Sequence, residues 1–466
     1  MGDTVREGSE NLTGGQVSGV PTHLVGTGEA ITAENLDPRS PFGAVTRNGR
    51  AQFGIDFGSD SLVAGLKAFK KNAGTDYVVS RVATTFYSVS AASWASIGIG
   101  GTTGEIFRAA ALDDLLVIVV DGLVPKYWDG TTFGSLGGTP PSEAKYAAIY
   151  VSKVWLAGDD ANPQKLTFSA TNNAQDFTAA DDAGSITTQD GGGDTIQGLM
   201  AIRKALLIMY RNFVDILIGD SVLNFRVDRL IDRGLVSKTG YVTAGEVAFF
   251  ASDDAIYVVA GAAVSDITTM KFRETYRNIS DKSKISLGVK GDLLLVVDYG
   301  ANVAYACDYK KSTWSQWTNQ AWTSMDTAND QTFYAGADGG STVQIWKLDS
   351  GSLDGAATIT AKWRIPDLAF GWPDAVKNLT AAKVHAKPGI GTVTLTYYKN
   401  GSAIGSTTDV SFNSSGGHDW NGRHGQSAAR GEYLGMQMQW AGVGTVYGWA
   451  IYAEITSEPG NVPLES

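Results

Sequence analysis

The sequence predicts an all-β protein, a β-propeller followed by a C-terminal antiparallel β-sandwich. Three observations lead there. Short β-branched and aromatic runs alternate with Gly, Asp and Asn turns along most of the 466 residues, and helical periodicity is nearly absent. Strand cores recur at Tyr77, Val117, Trp155, Leu207, Tyr257, Leu294 and Tyr334, with separations of 40, 38, 52, 50, 37 and 40 residues. Apolar residues make up 43% of the chain, which is enough to bury several sheets and argues against disorder.

The period matters most. Units of about forty to fifty residues with four short strands each are what propeller blades look like in sequence. A lone four-stranded sheet cannot bury both faces. Stacking sheets radially does so, and closing the ring protects most edges. The alternative, a run of β-sandwiches, has no reason to recur at this longer period.

Taken in order, residues 1–34 read as an extended N-terminal arm, rich in Gly, Ser, Thr and Asn and poor in large apolars. Residues 35–352 read as the propeller, with about seven blades. Six or eight are compatible, because the first and last windows can share one blade. The local grammar repeats: Asp113-Asp114-Leu115-Leu116-Val117-Ile118 leads to Tyr127-Trp128-Asp129-Gly130, and Gly291-Asp292-Leu293-Leu294-Leu295-Val296 leads to Tyr305, Tyr309, Trp314 and Trp317. The modest helical candidates are 142–151 and 266–284. A turn-rich break at 351–355 precedes a β-sandwich over 353–458. There Asn400-Gly401 marks a tight hairpin. Residues 459–466 read as a C-terminal tail, an extended strap with two prolines.

Charge narrows the function classes. The chain has 37 Lys+Arg against 48 Asp+Glu, a net charge of −11. Tight nucleic-acid binding relies on Lys and Arg displacing counterions, so this balance disfavours it. Cys307 is the lone cysteine, which permits no internal disulfide and no cysteine zinc site. The first thirty residues lack the apolar core of a signal peptide, and runs such as Leu115–Val120 are too short to span a bilayer. A soluble protein assembled where it is made is the expectation.

The search for chemistry returns little. The histidines are His23, His385, His418 and His424; His418-Asp419 and His424 sit in a Gly/Asn-rich stretch over 413–425, expected to be a long surface loop. No P-loop, dinucleotide fingerprint or nucleophile elbow occurs. The acidic turns Asp159-Asp160, Asp181-Asp182 and Asp190 to Asp194 match no twelve-residue calcium loop. Gly191-Gly192-Gly193 lacks the Lys-Ser/Thr of a phosphate cradle. Trp128-Asp129-Gly130-Thr131-Thr132-Phe133 only partly echoes the repeated box of sialidase-type propellers. One basic stretch holds Arg226, Arg229, Arg233 and Lys238, and a second holds Lys271, Arg273, Arg277, Lys282 and Lys284. Both are diluted by acids and read as solvated faces or subunit contacts. Trp314, Trp317 and Trp322 read as blade packing. The expectation is therefore no catalytic residue, no cofactor, no bound metal and no enzymatic activity.

Several segments together resemble a family. They are Asn35-Leu36-Asp37 through Arg47-Asn48-Gly49; Lys126-Tyr127-Trp128-Asp129-Gly130-Thr131 followed by Gly137-Gly138-Thr139-Pro140-Pro141; Val154-Trp155-Leu156-Ala157-Gly158 followed by Phe168-Ser169-Ala170-Thr171-Asn172-Asn173; Asp308-Tyr309 to Trp314-Ser315-Gln316-Trp317; and Ile345-Trp346-Lys347-Leu348-Asp349. Their order over roughly 35–400 is similar to that of the β-propeller proteins at the distal end of short-tailed bacteriophage tails, called nozzle, hub or tail-stabilisation proteins. The resemblance implies a structural virion component, assembled in the host cytoplasm. It would form a homohexameric ring that closes the tail and conducts DNA during genome ejection. The implied partners are a tail adaptor and other tail proteins or fibres, with DNA passing the lumen without tight binding. The arm would lace neighbouring subunits together. Two other readings stand beside it: a receptor-binding or adhesin propeller that recognises host surface glycans, and a carbohydrate-active propeller enzyme with two carboxylates at the ring centre.

Overall fold

In the computed structural model the chain is an all-β protein built around a seven-bladed β-propeller. The structure describes residues 4–455 apart from 55, 58–62, 73, 75, 90–92, 189–192, 338–343, 388, 413–418 and 424–429. Blade 1 spans Val63–Lys70 to Trp94–Ile99, blade 2 Arg108–Leu112 to Phe133–Ser135, and blade 3 Tyr146–Tyr150 to Gly184–Thr187. Blade 4 spans Gly198–Ile202 to Arg226–Ile231, blade 5 Tyr241–Ala244 to Ala263–Asp266, and blade 6 Ile285–Lys290 to Thr313–Thr318. Blade 7 takes three strands from Trp322–Thr327, Phe333–Ala337 and Ile345–Leu348, and its fourth from the N-terminal segment Arg50–Phe53. The ring therefore closes inside one sheet by backbone hydrogen bonds. Such a closure resists opening better than side-chain packing alone.

Within a blade, position decides composition. The second strand is covered on both faces, so it reads as a continuous apolar run: Leu115–Val120 is buried from Leu116 onward, and Leu293–Asp298 throughout. Outer strands such as Arg226–Ile231 face solvent and are mixed. Six of the seven recurring cores fall on the second strand of their blades, whereas Tyr257 falls on the third strand of blade 5. The second strand there is Val247–Ala251. That offset explains the uneven 50- and 37-residue spacing on either side of Tyr257.

Two expected helices resolve differently. Residues 142–151 contain the inner strand of blade 3, Tyr146–Tyr150, whose alternating buried residues pack between sheets. In 266–284 a helix does form, Thr269–Arg277. It drops Phe272 onto Trp314 with ring centroids 3.9 Å apart, sealing the gap between blades 5 and 6.

The sandwich has two sheets around Trp363, Trp440, Trp449, Met436 and Met438. One contains Thr360–Arg364, Leu434–Ala441, Gly391–Lys399 and Ser402–Phe412; the other contains Thr445–Ile455, Lys377–Ala386 and Asp419–Arg423. Asn400 and Gly401 both take positive φ, 45° and 81°, in the two-residue turn that pairs Lys399 with Ser402. Asp419–Arg423 pairs with 381–385, so this part of the expected loop over 413–425 is a strand. The sheet containing Leu353–Asp354 and Ala357–Thr358 is that of blade 7, which moves the propeller border a few residues beyond 352.

The N-terminal arm differs most from expectation. Thr4–Ser9 pairs residue for residue with Trp449 to Glu454 at the edge of the sandwich. Thr32–Glu34 then bridges blade 6 to the sandwich: Glu34 aligns with Gln316 of blade 6 on one side and with Lys362 on the other. The result is one continuous nine-stranded sheet from the inner edge of blade 6 to the far edge of the sandwich. Trp317 Nε1 donates to Leu36 O at 2.8 Å, Ser315 Oγ to Ala33 O at 3.1 Å, and Asn35 Nδ2 to Thr318 Oγ1 at 2.9 Å. Composition missed this because the segment is held mostly by backbone and polar side-chain bonds, with a few apolar residues such as Leu12 and Leu36 reaching the sandwich core. The described part of the arm is thus used within its own chain, and lacing between subunits has no support from it.

Candidate functional site: the channel and its rim

The seven inner strands line a central cavity of about 410 Å³. Small residues keep it from filling, among them Ala109, Ala110, Ala111, Ala147, Ala148 and Ala201. A girdle of short bonds ties successive blades at the end where the inner strands begin. Thr239 Oγ1 donates to Ile285 O at 2.9 Å, Ser286 Oγ to Trp322 O, Thr323 Oγ1 to Val63 O at 2.9 Å, and the Phe107 amide to Ala64 O at 2.9 Å.

The described channel lining holds three cations, Lys67, Arg108 and Lys238. Asp326 is the one carboxylate among the described lining residues; its carboxylate lies 3.0 Å from Lys67 Nζ and accepts the Ala68 amide at 2.8 Å. At the strand-start mouth the Arg108 guanidinium sits over Tyr146 and Tyr241, 5.1 and 5.8 Å from the ring centroids, and donates to the Lys238 carbonyl. Lys238 Nζ reaches Glu105 at 2.9 Å. The connector between blades 4 and 5 therefore crosses the mouth to blade 2. Burial pushes the Tyr146 hydroxyl up to about 12, with Arg108 pulling the other way, so it stays a neutral phenol there.

A second cluster lies on the same end of blades 2 and 3. Asp121, Glu143 and Asp160 bring carboxylate oxygens within 4.8 Å of one another. Lys145 Nζ already sits among them, 2.6 Å from Asp160 and 3.4 Å from Asp121. An ammonium thus holds the place a cation would take. Burial, together with a hydrogen bond shared with Asp121, raises the Glu143 carboxyl, while that same bond lowers Asp121. Asp121 and Glu143 are half-buried, and Asp160 is exposed. A separate cavity of about 340 Å³ flanks blade 3 beside Glu143, walled by Pro140, Pro141, Phe168 and Phe177.

The residues singled out in the sequence fall into structural roles. Asp129 Oδ1 accepts the amides of Thr131 and Thr132 at 2.8 and 2.7 Å, so the Trp-Asp-Gly-Thr echo is a turn cap. Asp159, Asp298, Asp308 and Asp330 each take amides two or three residues onward in the same way. Much of the acidic excess is turn chemistry, a signal that the position of Asp at each hairpin tip carries in the sequence. Asp182 binds Lys153 and Thr171, and Asp194 accepts from Asn212. Asp190, Gly191, Gly192, His418 and His424 lie outside the described residues. The first basic stretch is ion-paired: Arg226 with Asp228, Arg229 with Asp215 and Asp232, Arg233 with Asp254. In the second, Lys271 pairs with Glu29 and Arg273 with Asp266. The first is therefore not the bare cationic stripe that a phosphate backbone needs, whereas in the second Arg277 and Lys284 are exposed and Lys282 donates to the Arg277 and Ile279 carbonyls. Trp314, Trp317 and Trp322 are buried between blades.

No family model matches the chain, and no curated protein matches it. Among solved structures, the extracellular domain of a putative hybrid two-component system from B. thetaiotaomicron is similar over 64% of this chain at 12% identity and a TM-score of 0.46; the match spans 39% of that larger chain. The WD40 domain of Neurospora crassa Pan2 is similar over 64% of this chain and 95% of its own, at 10% identity and a TM-score of 0.43. The CNH domain of AfRom2 matches 65% of this chain and 98% of its own, at 9% identity and a TM-score of 0.41. Among the described residues no helix is long and apolar enough to cross a membrane.

Proposed function

We propose that this chain is an architectural subunit of a bacteriophage tail, a nozzle or hub protein that assembles into a ring and lets genome DNA pass. One observation carries the reading: a single nine-stranded sheet fuses propeller and sandwich, so the subunit is built as one stiff block. The propeller's own channel is crossed by the Lys238–Glu105 contact and cannot be the conduit. Any DNA path would run through the lumen between subunits. A net charge of −11 suits such a lumen, because like charge keeps the duplex from sticking. Negative-stain imaging of the purified protein tests this. A symmetric ring with an open centre is expected, and it should release duplex DNA even at low salt. A protein that stays monomeric at every concentration, or a ring that holds DNA tightly, overturns the proposal.

A glycan-reading propeller is the second reading, favoured by the cavity beside Phe168 and Phe177, which offers aromatic walls with Thr139 and Glu143 at its edge. Binding to a panel of bacterial surface polysaccharides, lost on Phe177→Ala, would select it over the ring.

A further inference from the structure

The propeller's own channel holds a positive charge with nothing set against it. Two of its three lining cations have carboxylate partners: Lys67 has Asp326 at 3.0 Å, and Lys238 has Glu105 at 2.9 Å. Asp121 also lies within the electrostatic reach of Lys238. Arg108 differs, since no carboxylate pairs with it among the described residues. Its partners there are two carbonyls, Ile106 O at 3.2 Å and Lys238 O, and the rings of Tyr146 and Tyr241. Carbonyls and ring faces orient a guanidinium without cancelling its charge. Arg108 is half-buried, where its attraction for an anion exceeds that in bulk water.

Hydroxyl groups lie deeper in the same cavity. Thr239, Ser286 and Thr323 use theirs to tie neighbouring blades. Thr243 and Ser324 also line the cavity, from blades 5 and 7, and their hydroxyls make no such bond among the described residues. Tyr241 and Thr243 are alternate residues of one strand, so Thr243 sits about 6–7 Å further in than the ring that Arg108 covers. The alanines of blades 2 and 3 leave the space between these groups open.

We infer that the channel binds a hydroxylated carboxylate of monosaccharide size, a uronic acid being the simplest example, with its carboxylate on Arg108 and its hydroxyls on Thr243 and Ser324. A planar guanidinium matches a carboxylate with two parallel N–H bonds, and the two carbonyls leave other N–H groups of Arg108 for that purpose. Because the tyrosine rings and carbonyls already hold the side chain in place, little freedom is lost when the ligand arrives. The site does not depend on ring assembly, and it is separate from the cavity beside Phe177.

The test is titration calorimetry of the full chain with glucuronate, glucose and inorganic phosphate. Glucuronate should bind wild type with a Kd of about 1 mM or tighter. Glucose and phosphate should bind about tenfold more weakly or worse, because each lacks one half of the match. Arg108→Gln should weaken glucuronate binding about tenfold or more, and Thr243→Val about threefold, with melting curves to verify that both fold. Arg108→Lys keeps the charge but loses the fork, so it should fall between wild type and Arg108→Gln. If glucuronate binds folded wild type more weakly than about 1 mM, the site is refuted. Equal binding by folded Arg108→Gln refutes it too, since the ligand would then lie elsewhere. Phosphate bound as tightly as glucuronate overturns the carboxylate assignment.

Discussion

Arg47 ties the N-terminal segment to blades 6 and 7, and its removal can be costed. Its guanidinium forks onto Asp354 at 2.9 and 2.5 Å, donates through Nε to Asn35 Oδ1 at 3.2 Å, and stacks over Trp317 at 5.1 Å. The Arg47 side chain is 3% exposed and that of Asp354 12%. Removing one partner of a buried pair costs about 3–5 kcal/mol, since the other charge is left without compensation. Gln320 Nε2 still donates to Asp354 at 3.2 Å, which favours the lower end of that range. Lost stacking on Trp317 adds about 1 kcal/mol. Arg47→Ala should therefore lose about 4 kcal/mol, read from urea unfolding followed by tryptophan fluorescence. Arg47→Met/Asp354→Leu should recover most of it, because a buried pair replaced by apolar groups is near neutral. A loss below about 1 kcal/mol for Arg47→Ala, or a double variant no better than the single, would falsify the account of this joint.

Three further outcomes are expected. At Gly49 a Cβ would lie 2.0 Å from the Leu353 carbonyl oxygen, so Gly49→Ala should displace the closing strand of blade 7 and cost about 3 kcal/mol, with faster proteolysis near residue 50 as the readout. Burial pushes the Asp349 carboxyl up, but Arg39, Asn48 and Lys290 outweigh it and hold the group below its ordinary value of 3.8. Its stabilisation is present above that value and lost as pH falls through the lowered one. Asp349→Asn should thus cost about 1–2 kcal/mol at pH 7, and the gap from wild type should close in acid unfolding below about pH 4. Cys307 is buried and its thiol is raised well above the usual range by desolvation, so a thiol reagent should leave the native protein unlabelled and modify it stoichiometrically in urea.

The wheel was legible because each second strand must bury two faces, as the runs at Leu116 to Val120 and Leu293 to Val297 do. Tyr257 marks where spacing alone misleads, since aromatic residues also occupy third strands. The stitch through Thr32–Glu34 was not legible. It depends on long-range backbone pairing and on polar groups such as Asn35 and Ser315, whose partners lie some 280 residues away. The acid cluster was half visible: Asp159-Asp160 stood out, but Asp121 joins Lys145 and Asp160 only when blades 2 and 3 stack.

The early strand that closes blade 7 sets a timetable for synthesis. Phe53 pairs with Ile345, so its partner leaves the ribosome roughly 290 residues later. At about 5–20 residues per second that delay is roughly 15–60 s. Throughout it the leading stretch must wait unpaired beside half-made blades, a high-contact-order arrangement that folds slowly. A waiting stretch rich in large apolar groups would aggregate. The waiting strand Arg50–Phe53 is mostly polar, with Phe53 its one large apolar residue, which limits that risk until the last blade is ready to receive it.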